Sequence, residues 1–227
     1  EKMAKNKLRR FEEMKLMPHV FEPSLEEIKN QGVDYKGKWN SHVFKNDNPI
    51  ILELGCGKGE YSVGLARKYP NKNFVGVDIK GARMWVGAKE VVEEKLNNVA
   101  FLRTKVDFIN ALFDKNEVDE IWLTFSDPQP NKPNKRLTSK SFIERYRSIL
   151  KPGGIIHLKT DSDILFEFTE EEITTHNYNC HYLTWDLYKN IQELPEEVHD
   201  ILHIKTHYEA LFTSRGFNIK YCKFSID

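Results

Sequence analysis

The chain has 227 residues, equal numbers of basic and acidic side chains, and three cysteines, none of them in a CxxC pair. A formal net charge of zero gives no general attraction to a polyanion, so any nucleic-acid site must come from a local concentration of charge. No stretch approaches the roughly 20 apolar residues of a membrane span, and the charged N-terminus lacks the apolar segment of a signal peptide. Because an odd number of thiols is typical of a reducing compartment, we expect a cytoplasmic protein without a membrane partner.

The first 48 residues are rich in lysine, asparagine and glutamate. They predict a basic, partly flexible N-terminal arm on residues 1–48, followed by one domain on residues 49–227. Residues 2–10 of this arm carry five basic side chains and no acid.

Short apolar strands alternate with helices after the arm. Strands are predicted at 50–54, 73–78, 99–103, 120–125 and 154–160, with helices at 59–68, 81–96, 108–114 and 138–150. Two further strands, at 180–185 and 217–224, and a helix at 206–216 complete the pattern. Continuous apolar strands separated by helices are typical of a parallel sheet covered on both faces. We therefore expect an α/β fold with a doubly wound, mostly parallel, seven-stranded sheet, an antiparallel edge strand, and ligands bound beyond the carboxyl ends of the strands.

Three glycines, Gly55, Gly57 and Gly59, follow the first of these strands in the sequence ELGCGKGE. Glycine lets the backbone turn sharply and approach a ligand without a Cβ atom in the way. The dinucleotide-binding pattern GxGxxG would need glycine at position 60, where Glu60 stands. A pyrophosphate favours a helix N-terminus with no acid nearby, whereas Glu53 and Glu60 flank this loop and suit a cationic ligand.

Asp78 ends the second strand, where a carboxylate can accept hydrogen bonds from both hydroxyls of a ribose. A ribose combined with a positively charged group points to S-adenosyl-L-methionine as the cofactor. A plain turn from strand to helix is the alternative explanation of the glycines.

Five segments carry a resemblance to a known family. ELGCGKGE (53–60) with VGVD (75–78) resembles the cofactor site of class I S-adenosylmethionine-dependent methyltransferases, which have a Rossmann-like fold. FSDPQPNKPNKRL (125–137) is similar to the DPWPK-type signature of the tRNA (guanine-N7-)-methyltransferases. LKTD (158–161) and THYE (206–209) resemble the later substrate motifs of that family. The resemblance implies methylation of a guanine N7 in the tRNA variable loop, expected at tRNA position 46, with tRNA as partner.

The catalytic residue is expected to be Asp127. Guanine N7 carries a lone pair and no proton, so it needs no general base, and a fixed carboxylate would stabilise the positive charge that develops on the ring. Pro128 restricts the turn that aims this carboxylate. The expected cofactor-binding residues are Glu53, Gly55, Gly57, Gly59, Asp78, Asp107 and Asp127, and the expected substrate-binding residues are Asn131, Lys132, Arg136, Asp161, Thr206 and Glu209.

The signature departs from the family pattern at two positions. Gln129 stands where the family usually has tryptophan, and Asn131 stands at the place of the first lysine. Lys132 is therefore expected to contact phosphate. Residues 131–151 carry seven positive charges and one negative charge, 7 − 1 = +6, which predicts a phosphate track if they do not simply form a solvated face.

Other interpretations remain open at this point. Asp107 and Asp161 suit helix N-caps, and Thr206 with Glu209 has the spacing of a capping box. An amino-methyltransferase acting on another nucleobase nitrogen also uses Asp-Pro after the fourth strand, a nucleotide-dependent oxidoreductase shares the fold, and a tRNA-binding module could lack catalysis. The histidines form no convincing ligand set, so no metal is expected, and either a monomer or a homodimer is compatible with the sequence.

Overall fold

The computed structural model describes residues 2–204 and 207–227. Within these ranges, eight strands form a single sheet. The strands are β1 (Val20–Phe21), β2 (Ile50–Leu54), β3 (Asn73–Asp78), β4 (Val99–Arg103), β5 (Val118–Thr124), β6 (Leu150–Thr160), β7 (Asn179–Thr184) and β8 (Lys220–Ser225). The α-helices are α1 (Lys2–Lys15), α2 (Glu60–Lys68), α3 (Gly81–Glu94), α4 (Ile109–Leu112), α5 (Lys140–Arg147), α6 (Asp163–Thr175), α7 (Leu187–Asn190), α8 (Glu196–Leu202) and α9 (His207–Ser214).

The strand order is β1-β4-β3-β2-β5-β6-β8-β7. Every neighbouring pair is parallel except the two pairs made by β8, which is antiparallel to β6 and β7. This order confirms the predicted doubly wound, mostly parallel sheet with an antiparallel edge. The chain leaves β2 toward β3 on one side and reaches β5 on the other, so the strand order reverses between β2 and β5. In an open α/β sheet a ligand crevice forms at that position.

The sheet has one strand more than the predicted seven. Val20 and Phe21, in the arm, pair in parallel with Phe101 and Leu102 of β4. A strand of two residues is too short to produce a readable alternation of apolar and polar side chains, so the sequence pattern did not reveal it.

The arm packs on the rest of the fold through buried aromatic and apolar side chains. Trp39 is fully buried and its Nε1 donates to the Leu112 carbonyl oxygen at 2.9 Å. Met14 on α1 is also fully buried, and Trp85 on α3 donates to Glu13 at 2.6 Å. The ends of the arm and the domain boundary at residue 49 stay predictions.

Apolar side chains fill both faces of the sheet. Leu52 and Leu54 of β2 belong to the core cluster on one face, and Ile51 belongs to the cluster on the other. Both faces are covered, so the open edge at the carboxyl ends of the strands is the part of the sheet that presents functional groups.

None of the helices in residues 2–204 and 207–227 combines the length and the apolar character that crossing a bilayer requires.

Candidate active site at the carboxyl ends of the strands

A cavity of about 660 Å³ lies where β2, β3, β4 and β5 end. Its walls include Gly55 and Gly57 after β2, Asp78 after β3, Asp107 after β4 and Asp127 after β5. This volume falls in the range of sites that enclose small molecules. Residues that are far apart along the chain, and that the sequence pattern assigned to one site, therefore border one space.

The glycine loop is open toward this cavity at two of its three glycines. Gly55, Gly57 and Gly59 have φ angles of +79°, +55° and +78°, which favour glycine. A Cβ atom added to Gly55 or Gly57 would meet no atom within 4 Å, whereas one added to Gly59 would lie 2.7 Å from the Phe101 ring. Gly55 and Gly57 thus form a cradle for a ligand, and Gly59 allows the loop to pack closely on β4.

Asp78 is held rigidly beside this loop. Its Oδ2 accepts a hydrogen bond from the Gly57 backbone N–H at 2.9 Å, and its Oδ1 accepts one from the Lys80 N–H, also at 2.9 Å. Because both bonds come from the backbone, the carboxylate has a fixed orientation at the cavity wall. A rigid acceptor of this kind suits the two hydroxyls of a ribose.

Glu53 lies behind the loop and not on the cavity wall. It is 3% exposed, and its carboxylate accepts hydrogen bonds from the Ser62 backbone N–H at 3.2 Å, the Ser62 hydroxyl at 2.8 Å and the Thr124 hydroxyl at 2.5 Å. Burial raises the pKa of Glu53 to about 7, while these hydrogen bonds act in the opposite direction. Glu53 links β2, α2 and β5, so the expected direct contact with a cofactor does not fit its position. Glu60 does line the cavity.

Asp127 lies exposed in the loop that follows β5. Its Oδ1 accepts a hydrogen bond from the Gln129 N–H at 2.9 Å, and no donor among the described residues is bound to its Oδ2. Phe125 and Gln129, on either side of it, have φ angles of +54° and +45°. Left-handed backbone at residues other than glycine costs free energy and clusters at functional sites, which supports a functional role for this loop.

Arg136 supports the Asp127 loop from behind. It is 6% exposed, its Nε donates to the Pro128 carbonyl oxygen at 2.8 Å, and its guanidinium lies 4.7 Å from the centre of the Phe168 ring. The expected contact between Arg136 and a phosphate therefore does not fit this arrangement. The basic cluster of the 125–137 segment identified Arg136 in the sequence, and neither its charge nor its place in the segment distinguishes a buried guanidinium from an exposed one.

The other members of the basic stretch divide into two groups. Asn131 and Lys132 are exposed beside the Asp127 loop, and Lys135 lines the cavity. Arg145 and Arg147 are partly committed, because they donate to the carbonyl oxygens of Asp107 and Ile226. Lys151 pairs with Asp119, so Lys132, Lys135 and the exposed Lys140 are the basic side chains of the stretch most available to an RNA backbone.

The N-cap alternatives for Asp107 and Asp161 find no support. Asp107 lies in a 3₁₀ turn, Val106–Phe108, that has no side-chain cap hydrogen bond, and it borders the cavity. Helix α6 is capped by Ser162, whose Oγ accepts from the Leu165 N–H at 3.1 Å. Asp161 lies just before that cap, outside the cavity wall, and burial raises the pKa of its carboxyl.

Glu209 is not presented to solvent. Lys159 and Glu209 are both fully buried and form an ion pair with Nζ and Oε2 3.0 Å apart. Lys159 also donates to the Tyr61 hydroxyl at 3.0 Å and to the Leu202 carbonyl oxygen at 2.7 Å, and Tyr188 donates to Glu209. A direct contact between Glu209 and a substrate does not fit this geometry. Thr206, the other member of the predicted pair, lies outside the described residues.

Comparison with known proteins decides the family. A model of a family described as "Putative methyltransferase" matches residues 47–222. A tRNA (guanine-N(7)-)-methyltransferase of Bacteroides thetaiotaomicron is 53% identical over 99% of this chain and 87% of its own length. The proteins of the same name from Christiangramia forsetii and Bacillus subtilis are 48% and 35% identical over 98% and 81% of this chain and 99% and 83% of their own lengths. The chain belongs to the tRNA (guanine-N(7)-)-methyltransferase family.

Solved structures of other methyltransferases share the fold of this family member. The 16S rRNA methyltransferase KamB superposes with a TM-score of 0.60 at 13% identity, covering 82% of this chain and 92% of its own. A 16S rRNA (adenine(1408)-N(1))-methyltransferase from Catenulisporales acidiphilia gives 0.59 at 15% identity, covering 86% and 95%. At these identities the similarity establishes the Rossmann-like methyltransferase fold and nothing about the substrate.

Asp78→Ala is expected to weaken the binding of S-adenosyl-L-methionine by about 1.5–3 kcal/mol, because a charged acceptor for ribose hydroxyls is lost. Isothermal titration calorimetry measures the change. Asp78→Asn, which keeps one acceptor oxygen and the shape of the side chain, should lose less affinity. Binding of the alanine variant with the affinity of the parent protein would contradict the assignment of Asp78 to the ribose.

Proposed function

We propose that the protein transfers a methyl group from S-adenosyl-L-methionine to N7 of a guanine in tRNA. The observation that carries this proposal is the meeting of the glycine cradle, the rigid Asp78 carboxylate and the exposed Asp127 carboxylate in one cavity. The family to which the chain belongs bears the name of this reaction.

The residues of the cavity fit the methyl donor. The open space at Gly55 and Gly57 accepts a ligand against the backbone, Asp78 binds ribose hydroxyls, and Asp107 borders the same wall. The wall carries four acids and five basic side chains, so groups of both signs border a ligand that has a sulfonium, an ammonium and a carboxylate. S-adenosyl-L-methionine supplies a methyl group activated by a sulfonium.

Asp127 acts on the guanine. Attack of the N7 lone pair on the methyl carbon would form the N–C bond as the S–C bond breaks and S-adenosylhomocysteine leaves as a neutral thioether. No proton has to leave the nucleophile, so orientation of the two reactants would supply much of the rate. The imidazole part of guanine gains positive charge during the transfer. A carboxylate whose orientation is fixed by the Gln129 N–H stabilises that charge without reorganising. Because N7 has no proton to lose, no group has to generate the nucleophile.

The position of the guanine in the variable loop is part of the same proposal. It rests on the resemblance of the 125–137 segment to the family signature. Asn131 and Lys132 lie exposed beside the Asp127 loop, where they would contact the RNA backbone, and Asp161 on the neighbouring strand would contact the guanosine. Arg136 and Glu209 would contribute indirectly, by holding the Asp127 loop and helix α9 in place. We place this activity in the cytoplasm.

The test is to incubate the purified protein with S-adenosyl-L-methionine and unmodified tRNA transcripts and to map the methylated nucleotide. N7-methylguanosine at a variable-loop guanine, absent from a transcript in which that guanine is replaced by adenine, is the expected result. Methylation of an exocyclic nucleobase nitrogen would establish the amino-methyltransferase alternative. Binding of tRNA without any methyl transfer would establish a binding module.

A further inference from the structure

One tryptophan is exposed at the same edge of the sheet as the cavity. Trp185 is 39% exposed, whereas Trp39, Trp85 and Trp122 are 0%, 9% and 4% exposed. A tryptophan with this exposure loses apolar contact with protein and leaves a large π surface to solvent. Its position relative to Asp127 indicates what that surface is for.

The strand registers place Trp185 in line with the active site. Thr184 of β7 pairs with Tyr221 of β8, Tyr221 pairs with Lys159 of β6, and Lys159 pairs with Thr124 of β5. These residues form one row across four adjacent strands. Phe125 comes directly after β5, and Trp185 comes directly after β7. Because these two strands are parallel, both residues lie at the carboxyl edge of the sheet, three strand spacings or about 14 Å apart.

Helix α6 connects Trp185 to the Asp127 loop. The Trp185 ring meets the Phe166 ring edge-on, with centroids 4.9 Å apart and planes at 85°. Two residues further along α6, the Phe168 ring packs against the guanidinium of Arg136. Arg136 in turn donates a hydrogen bond to the Pro128 carbonyl oxygen. Trp185 thus packs directly on α6, and the Asp127 loop is attached to the same helix through Arg136. The contact with Phe166 orders the tryptophan ring while leaving it partly open.

Two acids on the segments next to Trp185 are engaged within the protein, whereas Glu167, beside Phe166 on α6, is exposed. Asp186 caps α7 by accepting from the Lys189 N–H at 3.4 Å, and Asp163 pairs with Lys220 at 2.6 Å. Asp161 lies between Trp185 and the Asp127 loop at the end of β6. These contacts reduce the repulsion that Asp163 and Asp186 would exert on a phosphate chain passing along this edge.

We propose that Trp185 is a stacking platform for a nucleobase that flanks the target guanine. This proposal rests on the proposed function, since it concerns the same RNA at the same site. Single-stranded RNA segments are bound by stacking of splayed bases on aromatic side chains, and such stacking tolerates different bases. The platform would hold the segment beside the guanine in register while Asp127 acts on N7.

Replacing Trp185 tests this role by kinetics. Trp185→Ala should raise KM for tRNA about tenfold, the order expected for one stacked base, with kcat within about twofold and unchanged affinity for S-adenosyl-L-methionine. Trp185→Phe should retain most of the parent affinity because it retains an aromatic face. Val92→Ala is the matched control, because Val92 is 49% exposed near the end of α3, away from the cavity. A parent-like KM for tRNA in Trp185→Ala would overturn the proposal.

Fluorescence quenching by acrylamide gives an independent readout. Trp185 is the accessible tryptophan, so saturating tRNA should reduce the quenching constant of the parent protein several-fold, and Trp185→Phe should lack this tRNA-dependent change. Quenching that tRNA does not alter would overturn the proposal. A quenching constant that falls as the protein concentration rises, in the absence of tRNA, would show that Trp185 is covered by a second copy of the chain. That result would also overturn the proposal. If the parent protein methylates no tRNA, the proposed function is refuted. If the parent protein is active but replacement of Trp185 changes neither the KM for tRNA nor the quenching, only the stacking role is refuted.

Discussion

Asp127→Asn is expected to lower the rate of methyl transfer by on the order of 10²-fold, the scale of losing one preorganised stabilising group. Asparagine keeps the size of the side chain and an oxygen that can accept from the Gln129 N–H, so the loop should keep its conformation. What disappears is the negative charge that faces the developing positive charge on guanine. Both substrates should bind within a few-fold of their normal affinity, because the lost interaction is strongest in the transition state.

Single-turnover methyl transfer to tRNA measures this effect directly, since product release does not contribute. Asp34→Asn is a suitable control, because Asp34 is an exposed carboxylate in the arm, outside the cavity wall. The rate of the Asp127 variant should show no pH dependence from deprotonation of the nucleophile, because N7 has no proton to lose. Reaction of Asp127→Asn at the parent rate would show that this residue is a scaffold and would transfer the electrostatic role to Asp161.

The central strands were predictable from the sequence because their burial leaves a strong signal. β2, β3 and β4 begin and end at the predicted residues, since each is a short apolar run bounded by a turn or a polar side chain. Their carboxyl ends share one edge, so Asp78, Asp107 and Asp127 could be assigned to one site without coordinates. The cavity brings these three acids together.

Helix α6 was not predicted. The segment around EFTEEE, residues 167–172, carries a cluster of acids, and this cluster obscures the apolar face on which Leu165, Phe166 and Ile173 are buried. The missed helix matters for function, because it supports both Arg136 and Trp185. A short apolar stripe among many charges is insufficient to identify a helix from sequence alone.

Roles that depend on tertiary partners were the least predictable. Arg136 and Glu209 were expected to contact substrate, yet both are buried and bonded within the protein. Lys159 is a charge inside the apolar strand GIIHLKT, and this anomaly was the available signal for a buried ion pair. Its partner lies fifty residues away along the chain, a separation that no local pattern bridges.

Lys159→Met is expected to lower the free energy of unfolding by about 3–5 kcal/mol, because the Glu209 carboxylate stays buried with a hydrogen bond from Tyr188 but without its cation. Methionine fills a similar volume, so loss of packing contributes little. The ammonium also donates to Leu202 and Tyr61, so the ends of α8 and α9 lose their common attachment to β6. Urea denaturation followed by circular dichroism measures the change.

The double variant Lys159→Met with Glu209→Gln tests how much of the lost stability comes from the buried Glu209 charge and how much from the other effects of replacing Lys159. It should recover a substantial part of the lost stability, because the carboxylate that has lost its cation is then removed as well. Lys151→Met is the matched control: Lys151 pairs with Asp119 at 2.8 Å but is 49% exposed, so its loss should cost less than about 1 kcal/mol. A Lys159→Met variant as stable as the parent, or a double variant no more stable than Lys159→Met alone, would show that the pair does not hold helix α9 in place. The role of Glu209 would then return to the substrate contact that the resemblance of THYE to the family motif implies.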